Sequence, residues 1–272
     1  MHIHTFYSDG GQSPADVVAG ARRAGLGLIA VTDHDACLAC REVKELAKKA
    51  GITALDGEEI SAYDGDVKVH ILGYNLNCDD PSFVAFNKSL SLGAEERTFD
   101  ILRKLERVNV KISYGDVIRE RRCEKSPLHA MYIAVAGARK GYASSPFNFY
   151  ARYLNYGMPA FSCVCRPTPE ETVRAIVGCG GVCSLAHPGR ISLEKDGVTA
   201  LIERLLPEGL SGIEAVYSGH TANETQYYKE LADRYGLMVT GGSDTHFDGG
   251  NRRIGDPLFY PDGRLLSALK IT

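Results

Sequence analysis

Leu28-Ile29-Ala30-Val31-Thr32-Asp33-His34-Asp35 carries the reading of this chain. A short apolar run, too brief for a buried helix, has the character of a strand covered on both faces. It ends on a histidine flanked by two carboxylates. Upstream, Ser13-Pro14-Ala15-Asp16 has the form of a helix start, with Ser as N-cap and Pro at the first helical position. The helix continues through Val17, Val18, Ala21 and Ala24 and stops at Gly25. Residues 1–5 form a very short strand before it. Downstream, residues 42–50 read as a helix ending at Gly51, residues 53–55 lead into Gly57, and residues 67–72 make another strand. This β-α-β-α-β rhythm predicts a parallel sheet.

The rhythm breaks and then resumes. Residues 83–92, 95–108 and 128–138 have helical spacing and few β-branched runs, which predicts an inserted helical subdomain over residues 79–162. Beyond it come a Pro-capped helix at 168–178, a strand at 181–186, a helix at 198–206, a strand at 212–217, a helix at 221–235 and a strand at 237–241. About seven strands suit an α/β fold of the distorted (β/α)7 barrel type, formed by residues 1–78 and 163–272. In such a fold, sites lie at the carboxyl ends of the strands.

Composition narrows the function. The 272 residues are 44% hydrophobic and 24% charged, as expected of a folded globular chain. A net charge of −3 offers no basic field for long nucleic acid. No apolar run approaches a membrane span, and residues 1–10 have neither a basic flank nor an apolar core, so a cytoplasmic location is expected. Cys37 and Cys40 form a C-x-x-C without a second such knuckle. Cys163, Cys165, Cys179 and Cys183, which lie in apolar, strand-like stretches, read as small buried hydrophobes.

The histidines point to chemistry. His2 and His4 share one face of a strand, since residues two apart point the same way. His34, His70, His187 and the pair Asp244-x-His246 lie in or at the end of predicted strands. One such histidine is usually a hydrogen-bonded core residue. Six on one rim, with Asp9, Glu59 and Asp244, need partners, and imidazole with carboxylate suits Mn, Fe or Zn. Nine ligands fit two or three divalent ions with open positions. Three such ions, less three carboxylates and a bridging hydroxide, leave about +2, which matches a phosphate dianion.

The motifs, in order, resemble the PHP (polymerase and histidinol phosphatase) family. They are His2-Ile3-His4-Thr5 with Ser8-Asp9-Gly10, Thr32-Asp33-His34-Asp35, Gly57-Glu58-Glu59-Ile60-Ser61, His70-Ile71-Leu72-Gly73-Tyr74, Ala186-His187-Pro188-Gly189 and Gly242-Ser243-Asp244-Thr245-His246. The resemblance implies a stand-alone metal-dependent phosphoesterase that attacks phosphorus with a metal-bound hydroxide. It assigns His2, His4, Glu59 and Asp244 to one metal. Glu59 bridges to a second, with His70 and His187, and Asp9, His34 and His246 hold a third. Of Glu58 and Glu59 only one can face the site, and the motif picks Glu59.

Related phosphoesterases often carry Arg-Pro-His in the insertion, where this chain has Lys125-Ser126-Pro127-Leu128-His129. The histidine is kept and the arginine is not. Lys125 brings charge without a planar two-point clamp, which turns the expectation from nucleotides toward cyclic or sugar phosphates. His129, Lys125, Arg190 and His220 are the expected substrate contacts, and His220 or Asp33 the expected proton donor. The expected partner is a small phosphorylated substrate. The competing readings are hydrolysis of short nucleic-acid ends, a non-catalytic metal-binding module and a metal-dependent amide hydrolase.

Overall fold

The computed structural model describes residues 1–247 and 252–271. Six strands form one curled sheet in the order of the chain: β1 (Leu28–Val31), β2 (Thr53–Asp64), β3 (Val67–Tyr74), β4 (Val182–Leu185), β5 (Gly212–Tyr217) and β6 (Met238–Gly242). The expected all-parallel sheet is corrected at β3, which runs antiparallel to both neighbours. The cause is the connection. Only Gly65 and Asp66 separate β2 from β3, and a two-residue link can join only antiparallel strands. β2 is also far longer than residues 53–55, because it continues through Glu58 and Glu59 into this hairpin.

Residues 1–5 make no full strand, yet they tie the two sheet edges together. His4 N–H donates to Thr245 O beyond β6, and Thr32 N–H beyond β1 donates to Ile3 O. The barrel thus closes through the chain's first residues. Its inward face is apolar at one end and polar at the other. Ala30, Leu55, Leu72, Tyr74, Val182 and Met238 share a buried cluster with Leu265 and Leu269. The last two come from the region of α10 (Gly263–Ala268), which covers the end opposite the histidines. Two residues at a time along the same inward faces, β1 leads to His34, β2 to Glu59 and β6 to Asp244.

Helices α1 (Pro14–Arg23) and α2 (Cys40–Lys49) cover β1, burying Val17, Val18, Ala21, Val43 and Ala47 against Ile29 and Val31. Helices α7 (Pro169–Gly178), α8 (Lys195–Leu205) and α9 (Ala222–Tyr235) cover β3 to β5. Ser13, Thr168 and Thr221 each close a capping box, which satisfies orphan amides at the helix starts. Between β3 and α7 the chain is helical: α3 (Pro81–Arg107), α4 (Tyr114–Ile118), α5 (Ala130–Arg139) and α6 (Pro146–Phe149), followed by a π-helical turn, Tyr150–Leu154. These pack around a core of their own that includes Ile101, Leu105, Ile133 and Phe149.

The two helices expected at 83–92 and 95–108 are one, α3. Gly93, which falls between those two stretches, serves a close approach: a Cβ there would lie 2.2 Å from Cys165 O. Cys163 and Cys165 are corrected too. They lie in the loop that returns to α7, and Cys165 is exposed, whereas Cys179 and Cys183 are buried as expected. Among the described residues no helix is long and apolar enough to cross a membrane.

Candidate metal centre

The nine expected ligands meet in one patch where the strand ends converge. His2 Nε2 and His4 Nε2 are 3.2 Å apart, and each is 3.2 Å from Glu59 Oε2. Asp244 Oδ1 completes this group at 3.5 and 3.2 Å from the same two nitrogens. On the other side of the carboxylate, His70 Nδ1 and His187 Nε2 approach Glu59 Oε1 at 2.7 and 2.8 Å. A further group gathers donor atoms of His4, Asp9, His34 and His246 within 4.8 Å of one another, with His246 Nε2 3.2 Å from Asp9 Oδ1. His34 Nδ1 also reaches Glu59 Oε2 at 3.2 Å. Glu59, 1% exposed, is therefore the hub. Glu58 points through the opposite face of β2, as the pleat requires.

The chemistry of this donor set fits divalent cations. Imidazole nitrogens approach each other at 3.2 Å at two places, His2 to His4 and His70 to His187. His4 Nδ1, Asp9 Oδ1, His34 Nδ1, His70 Nε2 and His187 Nδ1 are buried without a hydrogen-bond partner. Protons alone serve the cluster badly. Burial opposes charge on His4, yet hydrogen bonds to Asp244 and Glu59 push its pKa up to about 10. Burial takes nearby His70 down to about 3 against the pull of Glu59. Glu59 itself is held well below the usual carboxylate range, because the charges of His70, His2 and His34 outweigh its burial. Metal ions satisfy neutral imidazole and ionised carboxylate together.

Local structure aims the ligands. Glu214 on β5, fully buried, accepts from His2 Nδ1 at 2.9 Å and from the His187 backbone N–H at 2.8 Å. This leaves His2 Nε2 free to face the cluster. Asp244 turns Oδ1 inward, while Oδ2 accepts from Tyr217 Oη at 3.0 Å and from Arg252. His187 and Asp244 have φ of +26° and +50°, strained backbone that redirects each side chain after its strand ends. Gly242 lets the first residues lie flat on β6, since a Cβ there would come within 2.3 Å of His2 Cβ.

The expected substrate residues divide. His129, the N-cap of α5, brings Nδ1 to 3.2 Å from Asp9 and stacks on His34 at 4.8 Å between ring centroids. Burial lowers its pKa to about 4, against the attraction of Asp9. Lys125 is exposed and has no hydrogen bond or ion pair among the described residues. Arg190 is exposed at the end of the turn Pro188–Arg190. His220 is engaged at both ring nitrogens: Nδ1 donates to Ala215 O at 3.1 Å and Nε2 accepts from Gly189 N–H at 3.2 Å. Asp33 accepts from Thr5 N–H and Thr5 Oγ1 at 2.7 and 2.6 Å and from Ser8 Oγ at 2.6 Å. Both side chains thus brace loops that carry expected ligands, Asp33 the one with Asp9 and His220 the one with His187.

Sequence reasoning missed Glu214, Tyr217, Arg252 and Lys68. Glu214 had a signal: a carboxylate inside the otherwise apolar run at 212–217. Lys68 precedes His70 by two residues on the same face of β3, and its charge adds to the lowering of the His70 and His129 pKa values.

A closed α/β barrel whose rim gathers histidines and carboxylates around one bridging glutamate defines a class of metal-dependent hydrolase. The chain belongs to the PHP domain family, whose model matches residues 1–206. It is 30% identical to the 3',5'-nucleoside bisphosphate phosphatase of Chromobacterium violaceum, over 98% of this chain and 96% of that protein. It is 31% identical to the phosphoribosyl 1,2-cyclic phosphate 1,2-diphosphodiesterase of Eggerthella lenta, over 90% and 93%. It is also 30% identical to a 5'-3' exoribonuclease of Haemophilus influenzae, over 96% and 94%. Among solved structures, an amidohydrolase from Chromobacterium violaceum with bound sulfate and no metal superposes with a TM-score of 0.86 at 29% identity, covering 98% of this chain and 95% of that one. A metal-dependent phosphoesterase from Bifidobacterium adolescentis gives 0.85 at 26% identity, covering 98% and 94%.

Proposed function

We propose that this chain is a metal-dependent phosphoesterase that releases inorganic phosphate from a small ester, with a cyclic phosphodiester or a sugar phosphate preferred over a nucleotide. The observation that carries the reading is the convergence of five imidazole nitrogens on the two oxygens of Glu59, at 2.7 to 3.2 Å. Two to three divalent ions, Mn, Fe or Zn, fit the groups of His2, His4, Glu59 and Asp244, of Glu59, His70 and His187, and of Asp9, His34 and His246. Bound there, such ions supply charge neutralisation on the phosphoryl oxygens and activation of a water.

The protein's own residues do the rest. His129, delivered by the insertion beside Asp9, is placed to donate to a phosphoryl oxygen. Lys68, on the His70 face of β3, would supply a cation in place of the missing arginine, and Arg252 and Arg190 add positive charge at the rim. Asp33 and His220 position the loops that carry Asp9 and His187. An ammonium is a point charge and grips a planar outline less well than a guanidinium, which supports a compact substrate.

The Haemophilus relative's activity supplies the second reading, hydrolysis at the ends of short RNA. The net charge of −3 argues against a long polymer. The test compares phosphate release by the manganese-loaded protein from cyclic phosphates, sugar phosphates, nucleoside mono- and bisphosphates and short oligoribonucleotides. The expected result is the highest kcat/KM on a cyclic or sugar phosphate. A nucleotide or oligonucleotide best by a wide margin overturns the preference, and no turnover of any ester overturns the phosphoesterase reading.

A further inference from the structure

Behind the metal centre, on the outer face of β2, lies a second group of metal-ligating side chains. Glu58 is fully buried there, although it takes no part in the catalytic cluster. Its Oε2 accepts from Cys37 Sγ and from Asn87 Nδ2, both at 2.9 Å, while Oε1 has no partner. A carboxyl oxygen left without a partner in the interior is costly, and a donor or a cation would satisfy it. Three thiols gather beside Glu58, of which Cys37 makes that contact with it. Cys37 lies in the turn before α2, Cys40 is the first residue of α2, and Cys78 lies in the loop between β3 and α3. Their three sulfurs are within 4.8 Å of one another.

We propose that Cys37, Cys40 and Cys78, with Glu58 as fourth ligand, form a structural zinc site distinct from the catalytic centre. Zn–S bonds of about 2.3 Å at tetrahedral angles set sulfurs about 3.8 Å apart, so small rotations bring the three thiols to that spacing, and Glu58, which touches Cys37, would turn in to complete the site. Thiolates select zinc over manganese or magnesium, and one carboxylate oxygen with three thiolates carries the same charge as a four-thiolate site. The C-x-x-C at 37–40 lacks a second knuckle in the sequence because its third cysteine comes from across the β2–β3 hairpin. An ion here would pin three pieces together: the turn following His34, the strand that carries Glu59, and the entry to the helical insertion. The inference stands whether or not the proposed substrate is right.

The test uses the whole protein, stripped of metal under reductant and titrated with Co(II) and then Zn(II). A thiolate-to-cobalt charge-transfer band is expected, which a centre of imidazole and carboxylate cannot give. In the wild type, zinc should also protect Cys37, Cys40 and Cys78 together from alkylation, mapped by peptide mass spectrometry, while Cys165 stays reactive. The variant Cys37→Ser/Cys40→Ser/Cys78→Ser should lose the band. Absence of the band, its persistence in the triple variant, or equal alkylation of the three cysteines with and without zinc would each overturn the proposal. The wild-type protection measurement decides the matter even if the variant fails to fold.

Discussion

Glu59 and Glu214 show how residues of one type divide the labour of the site. Glu59 touches five imidazoles through both oxygens, whereas Glu214 touches His2 and the His187 backbone and so acts through the ligands. Glu59→Gln removes the charge that joins the donor groups and should abolish hydrolysis and deplete bound metal. Glu214→Gln leaves every ligand in place but weakens the aim of His2, and should cost roughly 10- to 100-fold in kcat/KM or metal affinity. Kinetics paired with elemental analysis separate the two. Activity of Glu59→Gln within a factor of ten of wild type would refute the hub, and wild-type behaviour of Glu214→Gln would refute its orienting part. The grouping of these side chains was legible because i, i+2 spacing and strand ends leave a trace along the chain. Tyr217 and Arg252 were not, because they meet Asp244 only across loops that the fold brings together.

At the scale of elements, rules acting within one turn or one link are legible in the sequence, and contacts between distant segments are not. Ser13, Thr168 and Thr221 marked helix starts correctly, since a cap is a bond made within one turn. The direction of β3 was written in the two-residue link at Gly65-Asp66 and was overlooked. Gly93 lies between two stretches expected as separate helices, and the cause of this glycine is tertiary. Elsewhere in a helix, Gly to Ala stabilises by about 1 kcal/mol. Here the added Cβ would meet the Cys165 carbonyl at 2.2 Å, and forcing the segments apart costs typically about 1–3 kcal/mol. Gly93→Ala should therefore lower the thermal midpoint. A rise on melting by circular dichroism would show that the return loop does not press on α3.

Across the whole molecule, the metal centre draws on residues from 2 to 246 and ties both edges of the sheet to the hairpin and, through His129 beside Asp9, to the insertion. No local pattern shows that convergence, which exists only once the barrel closes. Its consequence is that metal binding and folding are coupled, because the unfolded chain holds no such site. A site at about 100 times its dissociation constant adds about 2.7 kcal/mol. For a chain of this size each kcal/mol moves the midpoint by about 2–4 °C, so two or three sites move it by roughly 10–30 °C. Stripping with a chelator should lower the midpoint by that much, and reloading with manganese should restore it. Manganese is the informative probe, because thiolates disfavour it and the count then reports the histidine and carboxylate ligands alone. More than one manganese per chain is expected after reloading. One or fewer, or a midpoint indifferent to the chelator, would show that the nine side chains do not form a multinuclear centre.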